Sequence, residues 1–214
     1  MKQLRLNGRI RRCASSLLAT KDFFGKDIKV PTIKDHVSTI CHKILILHSI
    51  KTNNMRIRNF QKTDFQGCID IFSSNCPKYF DEKELNFFNK YLEARSQHVI
   101  FNPIQSEADY YFVAEEKNKI FGCGGFYKIK DANQVQFAWG MILNSFHNKG
   151  LGTLLTNYRL ENIKTLYPEA KITLGTSQFT YPFFEKKGFQ ITNFYPDGYG
   201  EGLDRYDMEY INSL

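Results

Sequence analysis

Three strand-like runs, DYYFVAEE, IFGCGGFYKI and VQFAWGMIL, follow one another across the short polar turns EKNK and KDAN. Connections that short leave only hairpins, so the strand order is fixed locally as an antiparallel meander. The third run passes through HNKGLG into a helix patterned by Leu151, Leu154, Leu155 and Tyr158, and the chain returns as the strand-like AKITLGT. A meander that feeds a β-α-β crossover requires a mixed sheet with helices on its faces.

The flanking segments complete the pattern. MRIRNF reads as a first strand, and Thr63 as the N-cap of a helix with Phe65, Cys68, Ile69 and Phe72 on one face. After SNCPKYF, Asp81 and Glu84 form a capping pattern ahead of a second helix carrying Leu85, Phe88 and Leu92, to about Arg95. A further helix ends at Gly188, and FQITNFY and DRYDMEYI close the chain as strands joined by the glycine-rich loop PDGYGEG. The expected order is β-α-α-β-β-β-α-β-α-β-β, an α+β fold with a mixed, mostly antiparallel sheet and helices on both faces.

The net charge of +7 over 214 residues belongs to one end of the chain. Residues 1–54 hold 11 Lys/Arg and 3 Asp/Glu, whereas 55–214 hold 18 and 19. The basicity is a property of the N-terminal segment alone and says nothing about the domain's ligand. Five scattered cysteines without a CxxC pair argue against a disulfide framework and against a zinc site, and point to a reducing, cytoplasmic setting. The longest aliphatic run, Ile44 to Leu47, falls far short of the about 20 apolar residues of a membrane span.

Residues 1–54 form a basic extension whose opening stretch shares the composition of an organelle-targeting peptide. Three readings of it stay open: a disordered tail, an arm attracted to nucleic acid or membrane, and a start site placed upstream of Met55. The catalytic domain is expected over 55–214.

The segment HNKGLGT places glycines at a helix N-terminus, where backbone N–H groups and the helix dipole favour an anion. A tight turn uses the same residues. It lacks the Gly-Lys-Ser/Thr of a Walker loop and the third glycine of a Rossmann fingerprint.

From Met55 to Leu214 the chain resembles the GNAT N-acetyltransferase superfamily in element order and in three local motifs, with KYF, CGG, WGM, TSQ and PDGYGEGLDRYDM similar to an uncharacterised bacterial subgroup. HNKGLGTLL resembles the family's Gln/Arg-x-x-Gly-x-Gly/Ala pyrophosphate loop, with His147 where Arg or Gln is usual, and YPFFEKKGF resembles its helix ending in Gly-Phe. The resemblance implies acetyl-CoA as co-substrate, held by the backbone of Met141, Ile142 and Leu143 and by His147, Asn148, Lys149, Gly150, Leu151, Gly152 and Thr153. Ser177 stands where many members carry an Asn near the pantetheine. Phe184 stands where many carry a Tyr that protonates the departing thiolate, and core packing is its plainer reading.

Tyr181, one turn before Phe184, is the substitute acid if its ring faces the cofactor. VQFAWGMIL holds no carboxylate, so the base is sought elsewhere, with Tyr199 and Asp204 of the closing loop as acceptor-site candidates. Glu115 and Glu116 read as solvated strand-end charges. Tyr79 and Phe80, between the first two helices, stand at the acceptor wall the family uses. The reaction implied is direct attack of a small-molecule or peptide amine in a ternary complex, without metal; a homodimer is compatible with the sequence, which does not fix the oligomeric state. The alternatives are an acyl-CoA-binding module without transferase activity and nucleic-acid binding through the basic arm.

Overall fold

The computed structural model of the chain describes residues 51–52, 55–101 and 105–211. Apart from Lys51 and Thr52, the N-terminal extension 1–54 lies outside them. One eight-stranded sheet organises the described residues in the order β1-β2-β3-β4-β5-β6-β8-β7. The strands are β1 (Lys51–Thr52), β2 (Met55–Asn59), β3 (Ser106–Glu116), β4 (Lys119–Ile129), β5 (Gln134–Ile142), β6 (Lys171–Thr176), β7 (Phe189–Gly200) and β8 (Leu203–Tyr210). The helices are α1 (Phe65–Asn75), α2 (Leu85–Ser96), α3 (Leu151–Leu166) and α4 (Tyr181–Glu185). From Met55 onward the element order is the expected one; β1, which pairs with β2, adds a strand upstream of that boundary.

Only β5 and β6 pair in parallel, over Gln134–Lys171, Val135–Ile172 and Gln136–Thr173. Every other neighbouring pair is antiparallel. Both faces of the sheet are covered. On one face Phe112, Phe126, Val135 and Phe137 pack with Leu155, Tyr158 and Ile163 of α3 and with Phe184 of α4. On the other, Tyr111, Val113, Cys123 and Met141 pack with Cys68, Ile71 and Phe72 of α1 and Phe88 and Leu92 of α2. This two-sided burial explains why β3 reads as a nearly unbroken apolar run rather than an alternation.

Several local expectations shift. The buried stripe of α1 is Cys68, Ile71, Phe72 and Asn75, with Phe65 and Ile69 at its margin. The capping pattern at Asp81 is realised: its side chain accepts the Lys83 amide at 2.8 Å, and Glu84 accepts the Asp81 amide at 3.2 Å. The predicted loop PDGYGEG is mostly strand, because β7 runs on to Gly200 through a large bulge between Tyr195 and Gly200 and turns at Glu201–Gly202. Glu115 is buried rather than solvated and pairs with Arg56 and Arg58, the latter also holding Asp64 at 2.6 Å. Hydrogen bonds from those two arginines outweigh its desolvation and hold its carboxyl below the usual range.

Candidate active site

The site begins where β5 and β6 part. Their pairing stops at Gln136–Thr173 although both strands continue, so the outer edge of β5 beyond Gln136 faces a splay instead of a neighbour. On its inner side β5 carries a bulge: Gly125 opposes Ala138 and Cys123 opposes Met141, leaving Trp139 and Gly140 against Gly124 alone. Trp139 sits at φ +46°, a left-handed conformation costly for a bulky residue. Its ring lies against Phe88 at 4.9 Å and near Phe72, Phe80 and Phe87, and its carbonyl accepts the Tyr111 hydroxyl at 3.2 Å. The aromatic cluster and that bond hold the strained turn in place.

At the mouth of the splay, Asn148 at φ +60° and Gly150 at φ +83° carry the chain into α3. A Cβ at Gly150 would meet nothing within 4 Å, so the glycine serves the backbone conformation and leaves the space open. The first amides of α3 are the unpaired donors any helix start presents. Lys149 turns back onto its own loop, donating to the Ser145 carbonyl at 2.9 Å and lying over Phe146. His147 Nε2 is 2.9 Å from the Ile142 carbonyl, which also accepts Asn75 Nδ2 at 2.9 Å. His147 thus ties the loop to β5. Leu143 spends its amide on Phe121 of β4 at 2.8 Å.

Across the splay, Ser177 is buried and its carbonyl accepts the amides of Thr180 and Tyr181, both at 3.0 Å. Phe184 packs against Phe183, Phe189 and Phe137, which is core packing. Tyr181 stacks on Tyr206 of β8 at 4.4 Å, and β8 lies beyond β6 from β5. Its ring is therefore committed away from the splay, and the substitute-acid role expected for it has no support in this placement. Tyr79 reaches the mouth, edge-on to His147 at 5.2 Å and Phe179 at 5.9 Å, whereas Phe80 turns inward to Phe72 and Trp139.

Tyr199 lies over β6: a Cβ at Gly175 would be 2.6 Å from its hydroxyl and 3.5 Å from Asp207 Oδ1. Asp207 in turn accepts Arg205 Nε at 2.7 Å. Burial pushes the Tyr199 hydroxyl up to about 12, so it stays protonated and can donate. Asp204 does not join this group. In β8 it alternates with Arg205 and Asp207, shares the face of Tyr206, and its carboxylate accepts the Asp197 amide at 3.0 Å to hold the hairpin. The two closing-loop candidates are thus on opposite faces of the sheet, and Asp207 is the carboxylate beside Tyr199. Asp81 lines the same side, 2.9 Å from where a Gly200 Cβ would lie, beside a cavity of about 400 Å³ lined by Pro77, Asp81, Glu82, Gly200 and Glu201 among others. Glu84 is held above the usual carboxylate range by burial. Cys76 is a poor nucleophile, since burial raises its thiol to about 11.

Three residues escaped the sequence reading: Asn75, Asp207 and Arg159. Asn75 extends the otherwise apolar stripe Cys68–Ile71–Phe72, and that interruption was the available signal; Arg159 shares the buried stripe of α3 with Thr156 and Asn162, so its sequence context does not single it out. Asp207 was legible in the period-two alternation of DRYDMEY.

The family model of the acetyltransferase (GNAT) domain matches residues 76–211, more than half of the chain. The chain belongs to the GNAT acetyltransferase family. Solved structures share the fold at low identity. A spermidine N-acetyltransferase chimera from Vibrio cholerae is 20% identical with TM-score 0.58, over 75% of this chain and 97% of that one. The ribosomal-protein-S5-alanine acetyltransferase of Vibrio fischeri is 13% identical with TM-score 0.57, over 77% and 97%. A Salmonella typhimurium protein described as an acetyltransferase with its cofactor acetyl-CoA is 18% identical with TM-score 0.56, over 73% and 93%. A search of curated proteins gave no match. Among the described residues no cluster suits a metal ion, and no helix is long and apolar enough to cross a membrane.

Proposed function

We propose that the protein transfers an acetyl group from acetyl-CoA to a primary amine, by direct attack with both substrates bound. The observation that carries this reading is the freed edge of β5 beyond Gln136, running from the bulge at Gly140 to the open glycine turn that starts α3. An extended arm can add to a strand edge through backbone hydrogen bonds, and a pyrophosphate suits the N-terminus of a sixteen-residue helix. Asn148 to Thr153 would hold the phosphates, Met141 to Leu143 would pair with the arm through backbone groups other than the Leu143 amide and the Ile142 carbonyl, which are engaged within the chain, and Ser177 and Phe184 would form the far wall. Acetyl-CoA supplies an activated acyl group whose thiol, with a pKa near 8.5, departs readily.

The acceptor side is the face of α1 and α2. Tyr199 donates and Asp207 accepts beside Gly175, Tyr79 walls the mouth, and Asp81, Glu82 and Glu201 outnumber Lys83 around the cavity at Gly200, which leaves that lining net negative. A lysine-like amine is roughly 10⁻³ to 10⁻⁴ neutral at pH 7, so a proton acceptor must offset roughly 4 to 5 kcal/mol. Glu84, whose affinity for a proton is already raised by burial, is the carboxylate best suited to that task. This lining favours a cationic amine, small or at the end of a peptide; one of the fold neighbours is a spermidine N-acetyltransferase. The free thiols of Cys68, Cys76 and Cys123 accord with a reducing, cytoplasmic setting.

The test is thiol release from acetyl-CoA with a panel of polyamines, lysine-containing peptides, N-terminal alanine peptides and anionic amino acids. Turnover with cationic amines, lost in Glu84→Gln, is the expected result. CoA binding without acetylation of any amine would instead leave an acyl-CoA-binding module.

A further inference from the structure

Arg159, two turns into α3, is 3% exposed. Among the described residues no carboxylate pairs with it. Its donors reach only outlying acceptors: the Leu155 carbonyl at 3.4 Å, the Gly125 carbonyl at 3.5 Å and the Thr156 hydroxyl at 3.4 Å. The guanidinium stacks on Phe137 at 4.1 Å, and burial pulls its pKa down to about 9, which leaves it charged near pH 7. A buried cation without a counter-charge costs several kcal/mol, and a core ring offsets only part of that.

Its position says where a counter-charge would come from. A Cβ on Gly140 would lie 2.8 Å from Arg159 Nη1 and 3.0 Å from Nη2, and one on Gly124 would lie 3.4 Å from Nη1. Only a glycine at 140 admits the guanidinium, whereas a Cβ at Gly124 would first meet the Gly140 backbone at 2.9 Å, and Gly140 itself is exposed on the freed edge of β5. From Leu151 to Arg159 is eight residues, about 12 Å along the helix axis. The cation is thus set well down the splay from the phosphate loop, toward the end where the acyl group would sit.

We propose that Arg159 stabilises the negative charge that develops on the acyl oxygen during transfer. This rests on the placement of acetyl-CoA in the splay. As the amine nitrogen forms its bond to the carbonyl carbon, the C=O π pair moves onto oxygen. When that pair returns, the C–S bond breaks, sulfur leaves with its electrons as thiolate, and the surplus amine proton passes to a base. The neutral thioester leaves Arg159 uncompensated, and charge on oxygen compensates it, so the interaction strengthens toward the transition state.

The experiment needs no acceptor. Full-length protein is titrated calorimetrically with free CoA, with S-carboxymethyl-CoA, which carries a carboxylate one methylene from sulfur, and with S-acetonyl-CoA, its neutral ketone isostere. The expected result is that wild type binds the carboxymethyl compound about tenfold or more tighter than the acetonyl one. That preference collapses in Arg159→Met and returns in part in Arg159→Lys, with free CoA binding unchanged. Equal affinities for the two analogues in wild type, with CoA bound, overturn the proposal alone, whatever the folding of the variants. No binding of any of the three to wild type overturns it together with the cofactor site.

Discussion

The Tyr111 hydroxyl donates to the Trp139 carbonyl at 3.2 Å, across from β3 to the strained bulge of β5. Tyr111 is buried, so its removal strands a polar group in the core. Tyr111→Phe is expected to lower stability by about 1–3 kcal/mol, read by chemical denaturation, and to relax the Trp139 turn. A neutral substitution would show that the aromatic cluster alone holds the bulge.

Gly175 leaves room for the Tyr199 hydroxyl, 2.6 Å from where a Cβ would lie. Gly175→Ala should displace that ring and raise the KM of the amine roughly tenfold while the KM of acetyl-CoA stays within about twofold. A rise confined to acetyl-CoA would place Tyr199 on the cofactor side instead.

Tyr181 is held by its stack on Tyr206, an arrangement that needs the ring and not the hydroxyl. Tyr181→Phe should keep kcat within about twofold. Loss of a general acid would cost about 10²-fold or more, and a drop of that size in the thiol-release assay would restore Tyr181 as the acid.

Glu115, paired with Arg56 and Arg58, has its folded-state pKa held below the unfolded one. Its contribution is therefore complete above the ordinary glutamate value of about 4.3 and is lost as pH falls through the depressed folded value. Glu115→Gln should destabilise the protein by about 1–3 kcal/mol at neutral pH. The gap from wild type should close as denaturation is repeated at pH values below about 4; a gap independent of pH would deny the ion pairs that role.

Periodicity and turn chemistry carry most of this fold in the open. The hairpin meander, the glycine turn into α3 and the capping box at Asp81 are each written in contiguous residues. What stayed hidden depends on contacts between distant segments. The bulge that puts Trp139 at positive φ is a mismatch between β4 and β5 and leaves no mark within VQFAWGMIL except its glycine. Asp204 was favoured because it lies in a polar loop, yet strand alternation sets it on the face away from Tyr199. Arg159 reads as an ordinary helix cation until Gly140 is seen to make room for it.

The most direct test of the whole reading is thermal unfolding of the full-length protein with and without saturating acetyl-CoA. Ligand at about 100 times its dissociation constant should add roughly 2.7 kcal/mol, or about 5 to 10 °C in Tm for a chain of this size. A shift of that order, reproduced by free CoA, is the predicted result. A folded protein whose Tm does not move with either compound contradicts the placement of acetyl-CoA in the β5–β6 splay.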